Sequence, residues 1–354
     1  MVTAFDAVIG HRKVIELLAA ELDSPAQAYL FVGPDGAGKA TVARRFAAAL
    51  LADGKPAAFR RALDGVHADL SLVEPSGAAS ITVDQARVVV ASSTRAPLEA
   101  SRRVFLFEEG GLMNDEAANA LLKTLEEPVA TSVFIIVATS EDDLPSTIAS
   151  RSRTIVFGRV GEDEIVDALV EGGADPERAS QAARISGGRP GLALALVTQP
   201  DVAKYRRQWL GVPGRLTGHP GDSFRLAGEL LAATDPLLVA LKERQSVEAQ
   251  AAVADGASSK AVKERHDRQL KRAASSLWAT GLEILAGFYR DVAAAQVGAP
   301  VRNTDIPVSH LTQVMPGEAM RHADRVLETI ESLEANQLPQ LALAALFSEL
   351  GGDR

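Results

Sequence analysis

The chain has 354 residues, of which 47% are hydrophobic and 23% are charged, and its formal net charge is −9. Such a composition is ordinary for a globular protein with a buried core, and domains of about 150 residues would give it two or three of them. The absence of cysteine excludes disulfides and thiolate metal sites. The negative charge argues against nucleic-acid binding by the whole surface, although a local basic face is compatible with it.

The sequence carries no signal for a membrane or for secretion. No apolar run approaches the ~20 residues that a membrane span needs. The first residues, Met1 to Asp6, lack the basic patch and apolar core of a secretory signal. We therefore expect a cytoplasmic chain without a membrane partner.

Residues 1–158 alternate short apolar runs with amphipathic segments. This alternation predicts an α/β domain, in which helices cover both faces of a parallel sheet. The predicted strands are 29–32, 70–73, 104–107, 133–138 and 154–157, and the helical patterns between them include 14–21, 41–51, 83–92 and 117–125.

From residue 161 onward the strand signals fade and helical periodicity dominates. The helical patterns are 162–172, 176–185, 192–197, 260–290 and 338–350. Prolines and glycines punctuate the stretch 200–220 and predict a boundary there. We therefore expect the α/β domain over 1–158 to be followed by a small helical unit over 159–206 and a helical bundle over 207–354.

The segment between the first predicted strand and the next helix is typical of a phosphate-binding loop. Its glycines let successive backbone N–H groups point at one anion, and the N-terminus of the helix adds partial positive charge. Lys39 would reach the outer phosphates of a nucleotide. The residues assigned to this loop are Gly33, Pro34, Asp35, Gly36, Ala37, Gly38, Lys39, Ala40 and Thr41.

The parts that would hold Mg²⁺ are incomplete. The loop pattern continues with Ser or Thr, whose hydroxyl binds the metal, but position 40 is Ala. Hydrolysis also needs an acidic pair after a neighbouring strand, and the predicted strand 104–107 is followed by Glu108 and Glu109, with Glu where Asp is usual. These glutamates either support a metal or only meet solvent. The loop therefore predicts binding of ATP, ADP or phosphate, with weak support for Mg²⁺.

A polar residue at the end of another predicted strand is a further candidate for the nucleotide site. Thr139 follows the predicted strand 133–138, in the place from which a side chain would sense the γ-phosphate. A threonine at the end of a strand is common, so this residue alone is a weak indication of a nucleotide site.

Two further stretches connect the chain to a known family. Residues 119–128 read Asn-Ala-Leu-Leu-Lys-Thr-Leu-Glu-Glu-Pro, and residues 144–152 read Leu-Pro-Ser-Thr-Ile-Ala-Ser-Arg-Ser. With 7–11 (Ala-Val-Ile-Gly-His) and the phosphate loop, they resemble the clamp-loader ATPases of the AAA+ superfamily, and within them the delta prime family of bacterial DNA polymerase III. The resemblance covers the first predicted domain. It implies an AAA+ P-loop domain, a helical lid and an all-α collar for oligomerisation, and it places Val8 and Ile9 at the nucleotide.

The resemblance also assigns a function to Arg151. In clamp loaders the arginine of a Ser-Arg-Cys motif contacts the ATP of the neighbouring subunit, and here Ser150 and Arg151 match that motif, with Ser152 in place of the cysteine. A planar guanidinium suits this task because it stabilises the charge of the transferred phosphoryl group. The alternative is a structural salt bridge at the edge of the domain. Arg153 lies nearby but does not match the motif position.

Two features of the family are missing or displaced. Related subunits often carry a four-cysteine zinc module, but residues 52–69 contain no cysteine, so no zinc is expected and His67 is more simply a surface or packing residue. Active subunits place a lid arginine at the γ-phosphate. In this chain the matching place falls near Pro190 or Gly191, so that Arg189 is only a weak candidate.

The resemblance implies a delta prime-type subunit that works with gamma/tau and delta subunits, the sliding clamp and primer-template DNA, and whose own ATPase is weak or absent. The alternatives are an active gamma/tau-type ATPase or another AAA+ motor, and a scaffold that holds a permanent phosphate. A basic stripe in the third predicted domain either follows DNA phosphates or is a solvated helix face. It consists of Lys260, Lys263, Arg265, Arg268, Lys271 and Arg272.

Overall fold

The computed structural model describes residues 4–75, 80–239, 241–243, 245–246, 249, 259–312, 314–334 and 337–352. The chain forms two compact units, Met1–Leu194 and Ala195–Arg354. The finer division, with boundaries at 158 and 206, stays a prediction.

The first unit is built on a parallel sheet whose five strands lie in the order β2-β3-β4-β1-β5. Each strand overlaps the apolar run that predicts it, so the expected α/β fold with a parallel sheet is confirmed. The strands are β1 (Ala28–Val32), β2 (Leu70–Leu72), β3 (Arg103–Phe107), β4 (Ser132–Val137) and β5 (Arg153–Val156).

Helices connect these strands and cover the sheet. The helices of this part are α1 (Arg12–Ala20), α2 (Lys39–Ala52), α3 (Pro56–Leu63), α4 (Val83–Ser93), α5 (Asp115–Glu126), α6 (Ser146–Ala149), α7 (Glu162–Glu171), α8 (Pro176–Ser186) and α9 (Pro190–Thr198). The helix α3, which the sequence analysis does not predict, begins with Pro56 in its first turn, where a missing N–H costs nothing.

The central strand β1 is buried along its whole length. Tyr29 and Phe31 belong to the apolar cluster that contains Phe46 of α2, whereas Leu30 belongs to the opposite cluster with Leu121 of α5. Side chains of a strand alternate between its faces, so this single strand is covered on both sides. The end of β1, where the phosphate loop begins, is therefore fixed by packing from two layers.

The described part of the second unit is helical. Its helices are α10 (Pro200–Leu210), α11 (Pro220–Ala232), α12 (Ser259–Gln296), α13 (Pro316–Glu334) and α14 (Pro339–Gly352). Pro200 and Pro220 lie in the first turns of their helices, so the prolines of the stretch 200–220 begin helices in addition to punctuating it. Among the described residues, we find no helix whose length and apolar character would let it span a membrane.

The predicted basic stripe lies on α12, whose course confirms the helical periodicity. Lys263 and Lys271 are exposed on this helix. The side chains of Lys260, Arg265, Arg268 and Arg272 lie outside the described residues. The choice between a DNA-facing stripe and a solvated face therefore stays open.

The core of the second unit contains a close approach between a glycine and an aromatic ring. Trp209 of α10 is fully buried, and a Cβ added to Gly281 of α12 would overlap its indole ring. Gly287 of the same helix offers a matched comparison, because a Cβ there would meet nothing within 4 Å.

We expect Gly281→Ala to lower the free energy of unfolding by ~1–3 kcal/mol, since overpacking forces side chains and backbone to shift. Gly287→Ala should instead raise it by up to ~1 kcal/mol, because alanine favours a helix interior more than glycine does. Denaturant unfolding followed by circular dichroism measures both changes. Equal stabilisation by the two substitutions would contradict the described packing of Trp209.

Candidate functional site

The predicted nucleotide-binding elements meet at one edge of the sheet. The loop follows β1, Glu108 follows β3 and Thr139 follows β4, and all these strands are parallel. Their carboxyl ends therefore share one edge, which is where ligands bind in open parallel sheets. A backbone hydrogen bond of 3.1 Å from Gly33 N to Thr139 O joins the loop directly to the end of β4.

Three glycines of the loop adopt conformations that side chains rarely reach. The φ angles are 146° at Gly33, 74° at Gly36 and 99° at Gly38. A Cβ at Gly33 would overlap the carbonyl oxygen of Phe157, and one at Gly36 would lie 2.8 Å from Cδ of Arg189. The glycines are thus required by backbone geometry and by close neighbours, as a loop that wraps an anion requires.

Lys39 is held inside this loop. Only 6% of the residue is exposed, and its Nζ donates to the carbonyl oxygen of Gly33 and, at 3.1 Å, to that of Pro34. The Asp35 carboxylate lies 3.5 Å from the same nitrogen. Burial lowers the pKa of Lys39, and the charge of Asp35 opposes that shift. A phosphate in the loop would supply the anion that this buried ammonium favours.

Residues from four other segments contact the loop. Nε2 of His11 lies 2.6 Å from Ala37 O, Arg159 donates to Asp35 O at 2.7 Å, and Thr139 donates to the Asp35 carboxylate at 3.3 Å. The aliphatic part of Arg189 packs against Gly36, while its Nε donates to Ser186 O at 2.9 Å. The candidate arginine of the helical unit therefore does lie at the loop.

The remaining residues predicted to bind nucleotide lie around this centre. Val8 and Ile9 are half-buried in the segment that leads to His11, and Thr41 is exposed on the first turn of α2. Their contact with a nucleotide stays a prediction.

The two positions from which such a loop usually binds Mg²⁺, residue 40 and the carboxylate after β3, are not suited to it here. Ala40 offers no side-chain oxygen, and both oxygens of Glu108 accept hydrogen bonds from Arg44 of α2, that from Nη2 at 2.6 Å. This bidentate pair raises the pKa of Arg44. Glu109 is exposed. Within the described ranges, no group of three or more His, Asp or Glu side chains could hold a metal ion. The residues present therefore do not fit the magnesium site that the fold implies.

Arg151 lies between α6 and β5, far from its own phosphate loop. Arg153 pairs with Tyr29 in the register of β1 and β5, and the loop begins only at Gly33. At ~3.3 Å per residue, this register puts the loop roughly 13 Å further along the sheet than Arg153, while Arg151 precedes Arg153. Arg151 is thus at the amino edge of the sheet and cannot reach phosphates bound at the carboxyl edge.

Hydrogen bonds hold Arg151 in place at this edge. Nη2 donates to Glu126 Oε1 at 2.5 Å, and Nη1 donates to Thr147 O at 3.0 Å and to Ser150 Oγ at 3.3 Å. The side chain is 33% exposed. The ion pair with Glu126 is a structural salt bridge of the kind that the sequence analysis gives as the alternative, so the role of Arg151 toward a group outside the chain stays a prediction.

The neighbouring arginine has a different environment. Arg153 forms an ion pair of 2.6 Å with Glu21, whose carboxylate also accepts a hydrogen bond of 2.6 Å from Tyr29 OH. These contacts tie β5 to the end of α1 and to β1. Both arginines thus form an ion pair within the chain, and the side chain of Arg153, at 47% exposed, is more exposed than that of Arg151. Arg153 is therefore a useful comparison for Arg151.

The segment around His67, which contains no cysteine, is held together by hydrogen bonds. His67 is buried, and its Nδ1 accepts a hydrogen bond of 3.1 Å from Asp69 N. The buried Asp69 carboxylate accepts three backbone hydrogen bonds, from Leu98, Glu99 and Ala100, at 2.6, 2.8 and 2.9 Å. His67 is thus a packing residue, as expected, and Asp69 closes the loop before β3.

We expect Asp69→Asn to lower the free energy of unfolding by ~2 kcal/mol near neutral pH, because hydrogen bonds to a charged group are lost. Burial raises the pKa of Asp69, but the three N–H groups and Arg103 outweigh it and leave the pKa below the ordinary 3.8. The advantage of the wild type is therefore full above that value and shrinks as the pH falls through the lowered pKa.

Unfolding curves of both proteins across the acidic range test this expectation. A difference between wild type and variant that grows as the pH falls would contradict it.

The structure adds three functional candidates that the sequence analysis missed. Arg44 follows Ala40 by four residues, so helical spacing could have placed both on one face of α2. Arg159 contacts the loop, and Glu126 contacts Arg151, only because the tertiary fold brings distant segments together. No spacing rule connects either residue with its partner.

Comparison with known proteins points to one group. The family described as "DNA polymerase III, delta subunit" matches residues 10–160. The "DNA polymerase III subunit delta'" of Bacillus subtilis (strain 168) is 31% identical over 221 residues, which cover 60% of this chain and 67% of that protein. The protein of the same description from Pseudomonas aeruginosa PAO1 is 38% identical over 135 residues, covering 36% of this chain and 41% of the relative.

A subunit of another type is also similar to this chain. The "DNA polymerase III subunit tau" of Bacillus subtilis (strain 168) is 32% identical over 172 residues, or 46% of this chain and 30% of tau. The match thus spans less than half the length of tau and of the Pseudomonas relative.

Proposed function

Because the chain belongs to the delta prime family of DNA polymerase III clamp-loader subunits, we propose that it helps to load the sliding clamp onto primer-template DNA. Its proposed partners are gamma/tau and delta subunits in a cytoplasmic complex, and its DNA contacts are made as part of that complex. Its own loop binds ATP, ADP or phosphate but hydrolyses ATP weakly or not at all.

Arg151 is the residue through which this chain acts on ATP. It stabilises the transferred phosphoryl group at the site of a neighbouring subunit, where a fixed positive charge lowers the barrier. The observation that carries this proposal is the position of Arg151 at the amino edge of the sheet, while the chain's own loop lies at the carboxyl edge. An arginine so placed cannot act on its own loop, which supports a role at a site outside its own chain.

The residues at the chain's own phosphate loop also support a subunit that binds nucleotide without hydrolysing it. Ala40 provides no metal ligand, and Arg44 engages the carboxylate of Glu108. Hydrolysis needs Mg²⁺ to neutralise the developing charge and a residue to orient water. A loop that keeps Lys39 but lacks the metal ligands can hold phosphate without cleaving it.

The main alternative is a gamma/tau-type subunit or another AAA+ motor with its own turnover. We expect the purified chain to release phosphate from ATP at the rate of the buffer control, both with and without Mg²⁺. Robust turnover that Lys39→Ala abolishes would contradict the proposal and favour this alternative. Phosphate release measured with a coupled fluorescent sensor decides between them.

In a complex reconstituted with gamma/tau and delta subunits, we expect Arg151→Ala to slow clamp loading by about tenfold or more, since arginine fingers contribute 10³–10⁵ in rate at a single site. Arg151→Lys should restore little, because an ammonium lacks the planar fork. The measurement is the rate of clamp loading onto primed DNA.

Arg153→Ala is the control with the same charge change a short distance away. It should alter stability more than loading, because Arg153 pairs with Glu21 within the chain. Lys39→Ala should also have a smaller effect than Arg151→Ala. Equal, severe loss of loading from Lys39→Ala would contradict the proposed role of Arg151.

A further inference from the structure

We propose that Arg44 occupies the Glu108 carboxylate and so keeps Mg²⁺ from this chain's phosphate loop, so that the loop binds a nucleoside di- or triphosphate in its metal-free form. The inference rests on the proposed function in one respect, that the loop holds a nucleotide. It concerns the chemical form of the ligand and the residue that sets it.

The first step is the position of Arg44 on α2. Ala40 and Arg44 are about one helical turn apart, so they lie on the same face of α2, the helix that follows the phosphate loop. A metal at this loop would be bound by the side chain of residue 40 and by a carboxylate at the end of β3. Arg44 contacts that carboxylate through both of its oxygens.

The second step is the strength of the contact with Glu108. Both carboxylate oxygens are engaged by the guanidinium, and this bidentate arrangement is stronger than a single neutral hydrogen bond. Glu108 is only 24% exposed and Arg44 is 48% exposed, so solvent screens the pair incompletely. To bind Mg²⁺, Glu108 would first have to leave Arg44, and the metal would still lack a hydroxyl at position 40.

The third step is the charge that a nucleotide would meet. With Arg44 bound to it, Glu108 adds no net repulsion toward phosphate. Lys39 and Arg159 lie at the loop, where they donate to backbone carbonyl oxygens of Pro34 and Asp35. Phosphate oxygens are better acceptors for these cations than neutral carbonyls. Protein side chains thus supply the positive charge that a metal supplies in other loops.

The test compares ADP affinity of the purified full chain in MgCl₂ and in EDTA, by titration calorimetry. For the wild type we expect the two dissociation constants to differ by less than about threefold, below the tenfold that corresponds to ~1.4 kcal/mol. Ala40→Thr alone should behave in the same way because Arg44 still holds Glu108. The double variant Ala40→Thr/Arg44→Ala should bind ADP about tenfold more tightly in MgCl₂ than in EDTA.

Arg45→Ala is the matched control, because the neighbouring Arg45 donates to Ala4 O and does not contact Glu108. It should leave the ratio of the two dissociation constants unchanged, and thermal melts should establish that every variant is folded. Tighter ADP binding by the wild type in MgCl₂ would overturn the inference. The same gain from Ala40→Thr alone would overturn the role of Arg44.

Absence of ADP binding under all conditions would overturn the inference together with the assignment of the loop as a nucleotide site. The role of Arg151 would be unaffected, since clamp loading by the Arg151 variants measures it separately. Failure of the inference and failure of the proposed function are therefore distinguishable.

Discussion

Strand β1 pairs in parallel with β4 on one side and with β5 on the other, and the positions of the phosphate loop and of Arg151 both depend on this pairing. The pairing places the loop after β1 and Thr139 after β4 at one edge, and Arg151 before β5 at the other. Burial of β1 on both faces fixes this arrangement, because a shift in register would move large apolar side chains out of their layers. The chain thus presents a phosphate loop and an arginine that cannot serve each other.

The electrostatics of the two edges complement this separation. At the loop, positive groups are retained while the metal ligands are missing or, at Glu108, neutralised by Arg44. At the opposite edge, Arg151 is oriented by Glu126 yet partly exposed. The carboxyl edge is suited to bind phosphate without hydrolysing ATP. The amino edge is suited to supply the positive charge of Arg151 to a reaction at another site. The second property is the one that the proposed assistance to a neighbouring ATP site depends on.

Sequence reasoning predicted the elements well because their signals are local. Apolar runs bounded by polar residues predict β1 to β5, and the glycine and lysine spacing predicts the loop, including its missing hydroxyl at position 40. Contacts between distant segments were not predictable in this way. The sequence does not decide whether Glu108 binds a metal or meets solvent, since its pairing with Arg44 depends on how α2 packs against β3. The prolines of 200–220 were also ambiguous, because proline both interrupts chains and begins helices.

In the proposed function, ATP chemistry involving this chain occurs at a neighbour's site, through Arg151. Rapid-quench measurement of the phosphate released in a single turnover, by the reconstituted complex with clamp and primed DNA, follows that chemistry. Lys39→Ala should leave the amplitude of this burst of phosphate unchanged, whereas Arg151→Ala should lower it by the contribution of one ATP site. A burst that Lys39→Ala diminishes and Arg151→Ala leaves intact would contradict the proposed function.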